Sequence, residues 1–160
     1  MIFGQGNDML RMNRLLLLFL CMMNASDDTN AGDRTLDDLE SLRWQNRVIL
    51  VYAREPLLGK AIANLEEYAA GIAERDIAWF ALDGRALHTN YRGDVAEALQ
   101  ANLLSRYFTP APADTAVLLI GKDGGVKSRS SDLDLEATFG LIDQMPMRRR
   151  EMQRKADGSE

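Results

Sequence analysis

Cysteine is almost missing from this chain: one residue of 160, Cys21. A single thiol excludes an internal disulfide. Histidine is as scarce, with His88 alone. One imidazole and one thiol fall short of a zinc ligand set, and no stretch has calcium-loop spacing. No metal and no cofactor is therefore expected. A lone histidine in a polar stretch is far more often solvated than catalytic, and nothing pairs His88 into a Ser/His/Asp arrangement. Basic residues are outnumbered, 19 against 24, for a net charge of −5. No general nucleic-acid surface follows from that balance. The glycine pairs lack the spacing of a phosphate-binding loop. There is no internal repeat and no low-complexity tract.

Long apolar runs are also lacking. The longest, Leu15 to Met23, has nine residues, against roughly 20 for a bilayer span. Arg11 and Arg14 precede it, and Asn24, Ala25 and Ser26 follow. That order is the charged, apolar and small-residue sequence of a secretory signal. Residues 1–25 are thus expected to be a signal peptide cleaved near Ala25-Ser26, with Met9 and Met12 as alternative starts. The cleavage site is imperfect, since Met23 stands two positions before Ala25. The competing reading is a core helix or an uncleaved anchor. Export would carry the protein to the periplasm or the extracellular space and would take Cys21 with the signal. The mature chain would then have no thiol nucleophile, no disulfide and no thiolate-held metal.

What is present reads as one layered domain. Residues 26–35 are polar and turn-rich, a flexible linker. Leu36, Leu39 and Leu42 form an apolar stripe leading to Trp44, which is expected to close one end of the core. Val48 to Tyr52, Ile77 to Leu82 and Ala116 to Ile120 are wholly apolar. Such runs are strands covered on both faces. Leu58, Ile62, Leu65, Ala69 and Ile72 space a helix between the first two, giving a parallel βαβ unit. Residues 83–92 read as a polar connection. Asp94 with Glu97 has the pattern of a helix start, continued by Leu99 and Leu103 to about Tyr107. Gly121 to Gly125 is a hairpin turn. Asp132 or Asp134 caps a last helix carrying Leu135, Phe139 and Ile142, which Pro146 stops. The order β-α-β-α-β-β-α, with helices on both faces, describes an α/β, thioredoxin-like layered mixed sheet over residues 36–152. Residues 153–160 are expected to be a disordered tail.

Three pieces carry a family resemblance: RWQNRVILVYA, LIGKDGGVKSRSS and LIDQMPMRRREM. With them the chain resembles the bacterial domain of unknown function 4174, a peroxiredoxin-like group. Related domains occur in animal extracellular proteins of the equarin and sushi-repeat type. The resemblance implies a thioredoxin-like fold and no established activity. Peroxiredoxins and thioredoxins place their reactive cysteine after the first core strand, where a helix N-terminus lowers the thiol pKa. Here that place is Arg54-Glu55-Pro56-Leu57-Leu58-Gly59, so thiol chemistry does not carry over.

Two functional readings follow. The first is an exported, cysteine-free binding module, monomeric, for a protein or a small anion. The second is a non-thiol enzyme acting on a small anionic substrate. Either would use the sheet edge where Arg54, Thr115, Arg129 and Ser130 are expected to meet near a helix N-terminus, a setting that favours anions. The basic run Arg148 to Lys155 either touches an anionic surface or is solvated while Met147 and Met152 pack against the domain.

Overall fold

Residues 35–158 are described by the computed structural model, all within one unit, residues 33–160. The signal-peptide expectation and Cys21 lie outside the described residues. Five strands make one mixed sheet: β1 (Arg47–Ala53), β2 (Ile77–Leu82), β3 (Leu87–Thr89), β4 (Thr115–Ile120) and β5 (Val126–Ser130), in the order β3-β2-β1-β4-β5. β1 pairs with β2 in parallel and with β4 antiparallel, and β5 returns antiparallel along β4. A parallel βαβ unit continued by an antiparallel hairpin on the other side of the first strand is the thioredoxin-like arrangement.

The apolar runs are central strands for the reason their composition suggests. Every residue of β1 and β2 is buried. Val48, Leu50 and Tyr52 face one layer, with Phe80, Leu118, and Leu99 and Leu103 of α3 (Leu99–Tyr107). Ile49, Val51 and Ala53 face the other, with Leu58, Leu65, Ile72 and Ile142. That second layer is built by α1 (Leu57–Glu67), α2 (Ala69–Glu74) and α4 (Leu135–Asp143). Asp134 caps α4 as expected, accepting from the Ala137 N–H at 2.9 Å. Gly71 lets α2 approach α4: a Cβ there would lie 2.7 Å from the Phe139 ring. Among the described residues no helix is long and apolar enough to cross a membrane.

Several local expectations are corrected. The first long helix is two, because the chain breaks at Tyr68 (φ −90°, ψ 19°). The connection after β2 contains β3, a three-residue edge strand. α3 begins at Leu99 without a side-chain cap, so Asp94 is no N-cap; its carbonyl instead accepts from the Leu36 N–H at 2.8 Å. The helix expected to stop at Pro146 does end before it, at Asp143, but it is not the last. Pro146 opens α5 (Pro146–Asp157), which takes in most of the expected disordered tail. Proline suits the first helical turn, where its missing N–H has no partner to lose.

Asn90 finishes the edge that β3 leaves bare. Its side-chain carbonyl accepts from the Trp79 N–H at 2.9 Å, and its amide donates to the Ile77 carbonyl at 3.1 Å. The side chain thus does for β2 what a neighbouring strand does elsewhere. Asn90→Ala is expected to lower stability by about 1–2 kcal/mol, the sum of two net hydrogen bonds. Faster amide exchange at Trp79, with β1 unchanged, is the accompanying signature.

Trp44 overturns its expectation outright. It is 63% exposed, and its backbone is left-handed at φ 65°. The tight entry into β1 sets this conformation, with the Trp44 N–H donating to the Lys122 carbonyl at 2.7 Å. A core-closing tryptophan would lose roughly 3–5 kcal/mol on truncation. Trp44→Asn is instead expected to stay within about 1 kcal/mol of the parent, because asparagine tolerates this backbone region. A loss above about 3 kcal/mol in urea denaturation would contradict it.

Candidate functional site

The edge proposed for anions is built at the C-terminal end of β1. Ala53 pairs with Thr115, so Arg54 and Thr115 are neighbours there. Arg129 is not. It lies opposite Leu118, which lies opposite Leu50. That places Arg129 four positions back along β1, about 13 Å at the rise of a strand. Arg129 donates to the Tyr107 carbonyl at 3.4 Å, on the α3 side of the sheet. Ser130 is the next residue, so its side chain takes the opposite face. Its hydroxyl accepts from the Asp132 N–H at 3.0 Å. A hydrogen bond to the Tyr52 hydroxyl pushes the exposed Arg54 guanidinium above its ordinary pKa, with Asp114 adding to it.

The helix start at this corner already faces a carboxylate. Glu55 Oε2 lies 3.5 Å from the Cβ position of Gly59 in the first turn of α1. The Leu57 and Leu58 N–H groups both donate to the Arg54 carbonyl, at 2.8 and 3.1 Å. The corner after β1 holds an acid, a proline and two leucines.

Charge is concentrated at the other end of the sheet, where β1 and β2 begin and β4 ends. Arg47 and Arg148 are each 1% exposed, and Lys122 is 9% exposed. Arg47 donates to the Arg75 carbonyl at 2.9 Å and to both oxygens of Glu151 at 3.2–3.3 Å. Lys122 Nζ contacts Asp76 at 2.8 Å and Glu151 at 3.0 Å. Arg148 pairs with Glu74 and with Asp143, the latter at 3.1 Å. Arg75 pairs with Asp143 at 2.6 Å and lies over the Phe139 ring at 4.5 Å. Among the described residues every buried side-chain polar atom has a partner.

Sequence reasoning missed this cluster. It left Arg148 to an anionic surface or to solvent, with Met147 and Met152 as the packing residues. Arg148 is buried, while Met152 is 36% exposed and Met147 half-buried. It placed Lys122 in the hairpin turn and gave it no partner. The available signals were an arginine opening a wholly apolar strand and a single glutamate inside the run RRREM.

Several hollows border these elements. A groove of about 630 Å³ runs beside β2, lined by Leu65, Ala69, Ile72 and Trp79 with Asn90 and Arg92 at its rim. A smaller cavity of about 350 Å³ is lined by Arg47, Lys122, Asp123, Lys127 and Met145 to Met147. Among the described residues no three metal-ligating side chains converge.

Comparison with known proteins gives one family. The model described as "Domain of unknown function (DUF4174)" matches residues 38–151. No curated protein matches the chain. A solved structure, the mitochondrial 2-cys peroxiredoxin from Plasmodium falciparum, matches with a TM-score of 0.47 at 11% identity, covering 66% of this chain and 78% of that chain.

Proposed function

The chain belongs to the DUF4174 family of domains of unknown function, and we propose that it is an exported binding module built on a thioredoxin-like scaffold without thiol chemistry. One observation carries the reading. The corner Arg54 to Gly59 has no cysteine, and the sole cysteine of the chain, Cys21, lies in the segment with the signal-peptide pattern. Without a thiolate there is no nucleophile for peroxide or disulfide. The enzymatic alternative needs Arg54 and Arg129 on one substrate, and their register sets them apart. The same register moves the binding reading away from that edge to another face of the domain.

The test has two arms. A reporter active only outside the cytoplasm, fused after Ser26, should be active in cells, and the processed protein should begin between Asn24 and Asp28. Purified Cys21→Ser chain should consume no peroxide and reduce no insulin disulfide. Retention of the full chain in the cytoplasm would remove the export claim. Peroxide turnover by the Cys21→Ser chain would remove the binding claim.

A further inference from the structure

We propose that Arg47 and Lys122 form a receiving site for a carboxylate of an acidic partner segment, and that Glu151 of α5 keeps this site closed by occupying it. The inference rests on the binding-module reading and supplies the chemistry of the partner. Its starting point is the way the two cations are held. Arg47 comes from the first residue of β1 and Lys122 from the turn after β4. Both are at least nine-tenths buried, and both reach the same carboxylate, at 3.2 and 3.0 Å. A planar guanidinium and an ammonium converging on one carboxylate form a site of defined shape.

Glu151 can leave only in exchange for another carboxylate, because it is the carboxylate that pairs with the buried Arg47. Arg47 would keep the Arg75 carbonyl at 2.9 Å, and Lys122 would keep Asp76 at 2.8 Å. Glu151 itself would pass into water. Breaking a buried pair is severe when one charge stays behind unpaired, and mild when each member finds another partner or is hydrated. The helix that carries Glu151 adds little apolar hold, for its buried residue is Arg148, one turn earlier. Arg148 is differently placed. Its guanidinium spans Asp143, the Glu74 carboxylate and the Glu74 carbonyl. Arg148 pins the start of α5, and Glu151 is the key that turns on that pin.

An approach to the site exists in the closed form. The cavity of about 350 Å³ is lined by Arg47 and Lys122 themselves, with Lys127 beside them and Met145, Pro146 and Met147 as its apolar wall. In the closed form Glu151, Asp76 and Asp123 balance these three cations, so the lining turns positive by one charge when Glu151 leaves. A partner glutamate or aspartate side chain entering there meets the charge complementary to its own. The apolar wall suits the rest of an extended segment.

The experiment uses the full chain and a capped tetraglutamate peptide, with capped tetraglutamine as control. Glu151→Gln keeps the size of the side chain and removes its charge. It should bind tetraglutamate about tenfold more tightly than the parent, because the site no longer has to be vacated first. Binding should weaken as salt rises. In the parent, tetraglutamate should speed amide exchange from Glu151 to Lys155 while β1 amides stay protected. Tetraglutamine should do neither. Lys122→Met in the Glu151→Gln background should abolish the gain. Equal binding by Glu151→Gln and parent overturns the proposal, as does equal binding of the two peptides. If the Lys122 variant fails to fold, the Glu151→Gln comparison still decides. Peroxide turnover by the Cys21→Ser chain would defeat the binding-module reading without altering these peptide results, so the two failures are distinguishable.

Discussion

Arg148→Ala is expected to lower stability by about 3 kcal/mol, at the lower end of what breaking a buried ion pair costs. The low end applies because the partners are partly wet: Glu74 is 57% and Asp143 31% exposed, against 1% for Arg148. Four losses add up, the first being the ion pair with the Glu74 carboxylate. The Glu74 carbonyl loses a donor at 3.0 Å. Asp143 loses one of its two guanidiniums. A long side chain leaves a void under the first turn of α5. In urea the midpoint should fall by roughly 1.5 M, for a slope near 2 kcal/mol/M. Arg148→Met refills most of the volume and leaves Asp143 paired to Arg75, so it should lose about half as much. If both variants unfold within about 1 kcal/mol of the parent, the cluster is surface decoration and α5 is held by something else.

Arg148 also marks where sequence reasoning stopped. Strand identity was legible because a strand covered on both faces has no choice but to be apolar throughout. Val48 to Tyr52 and Ile77 to Leu82 satisfy that condition residue by residue. α1 was legible from Leu58 and Leu65 on one face, and α4 from its aspartate cap. β3 was not, since a three-residue edge strand with a histidine facing water has neither length nor alternation to show. Pro146 is ambiguous by nature, ending one helix pattern and suiting the first turn of the next. The charged cluster is a different case. Arg47 and Glu151 are 104 residues apart, and nothing local to either names the other. A run of arginines with one buried member looks like a run of solvated arginines. The missing thiol, in contrast, was fully legible, because a residue type absent from a stretch needs no geometry. Register separates two of the residues expected at the anion edge. Arg54 follows β1 and Arg129 lies on β5, with β4 between the two strands, and the pairing of β4 with each sets them four positions apart.

Asp143 should make the same cluster sensitive to acid. Burial pushes its carboxyl pKa up, but hydrogen bonds and charge from Arg75 and Arg148 outweigh that and hold it below the ordinary carboxylate value. A folded pKa below the unfolded one means the unfolded chain takes up the proton first. The contribution of Asp143 is then complete above the unfolded value, about 4. It fades as pH falls from there through the folded value, and below both it is gone. Asp143→Asn removes the charge at every pH. At pH 7 it should lower stability by about 2–3 kcal/mol, less than the full cost of a broken buried pair because Glu74 still serves both arginines. Between pH 5 and 3 the parent should lose stability faster than the variant, and the two should converge. Asp83 and Asp123 are also held below their ordinary values, the first by the backbone N–H groups of Ala86 and Arg85, the second chiefly by Lys127. Both remain in the variant, so their share of the acid loss cancels in the difference. Urea denaturation of the pair at half-unit steps of pH measures that difference directly. A gap that stays constant down to pH 3 would mean that Asp143 matters for its shape and not for its charge.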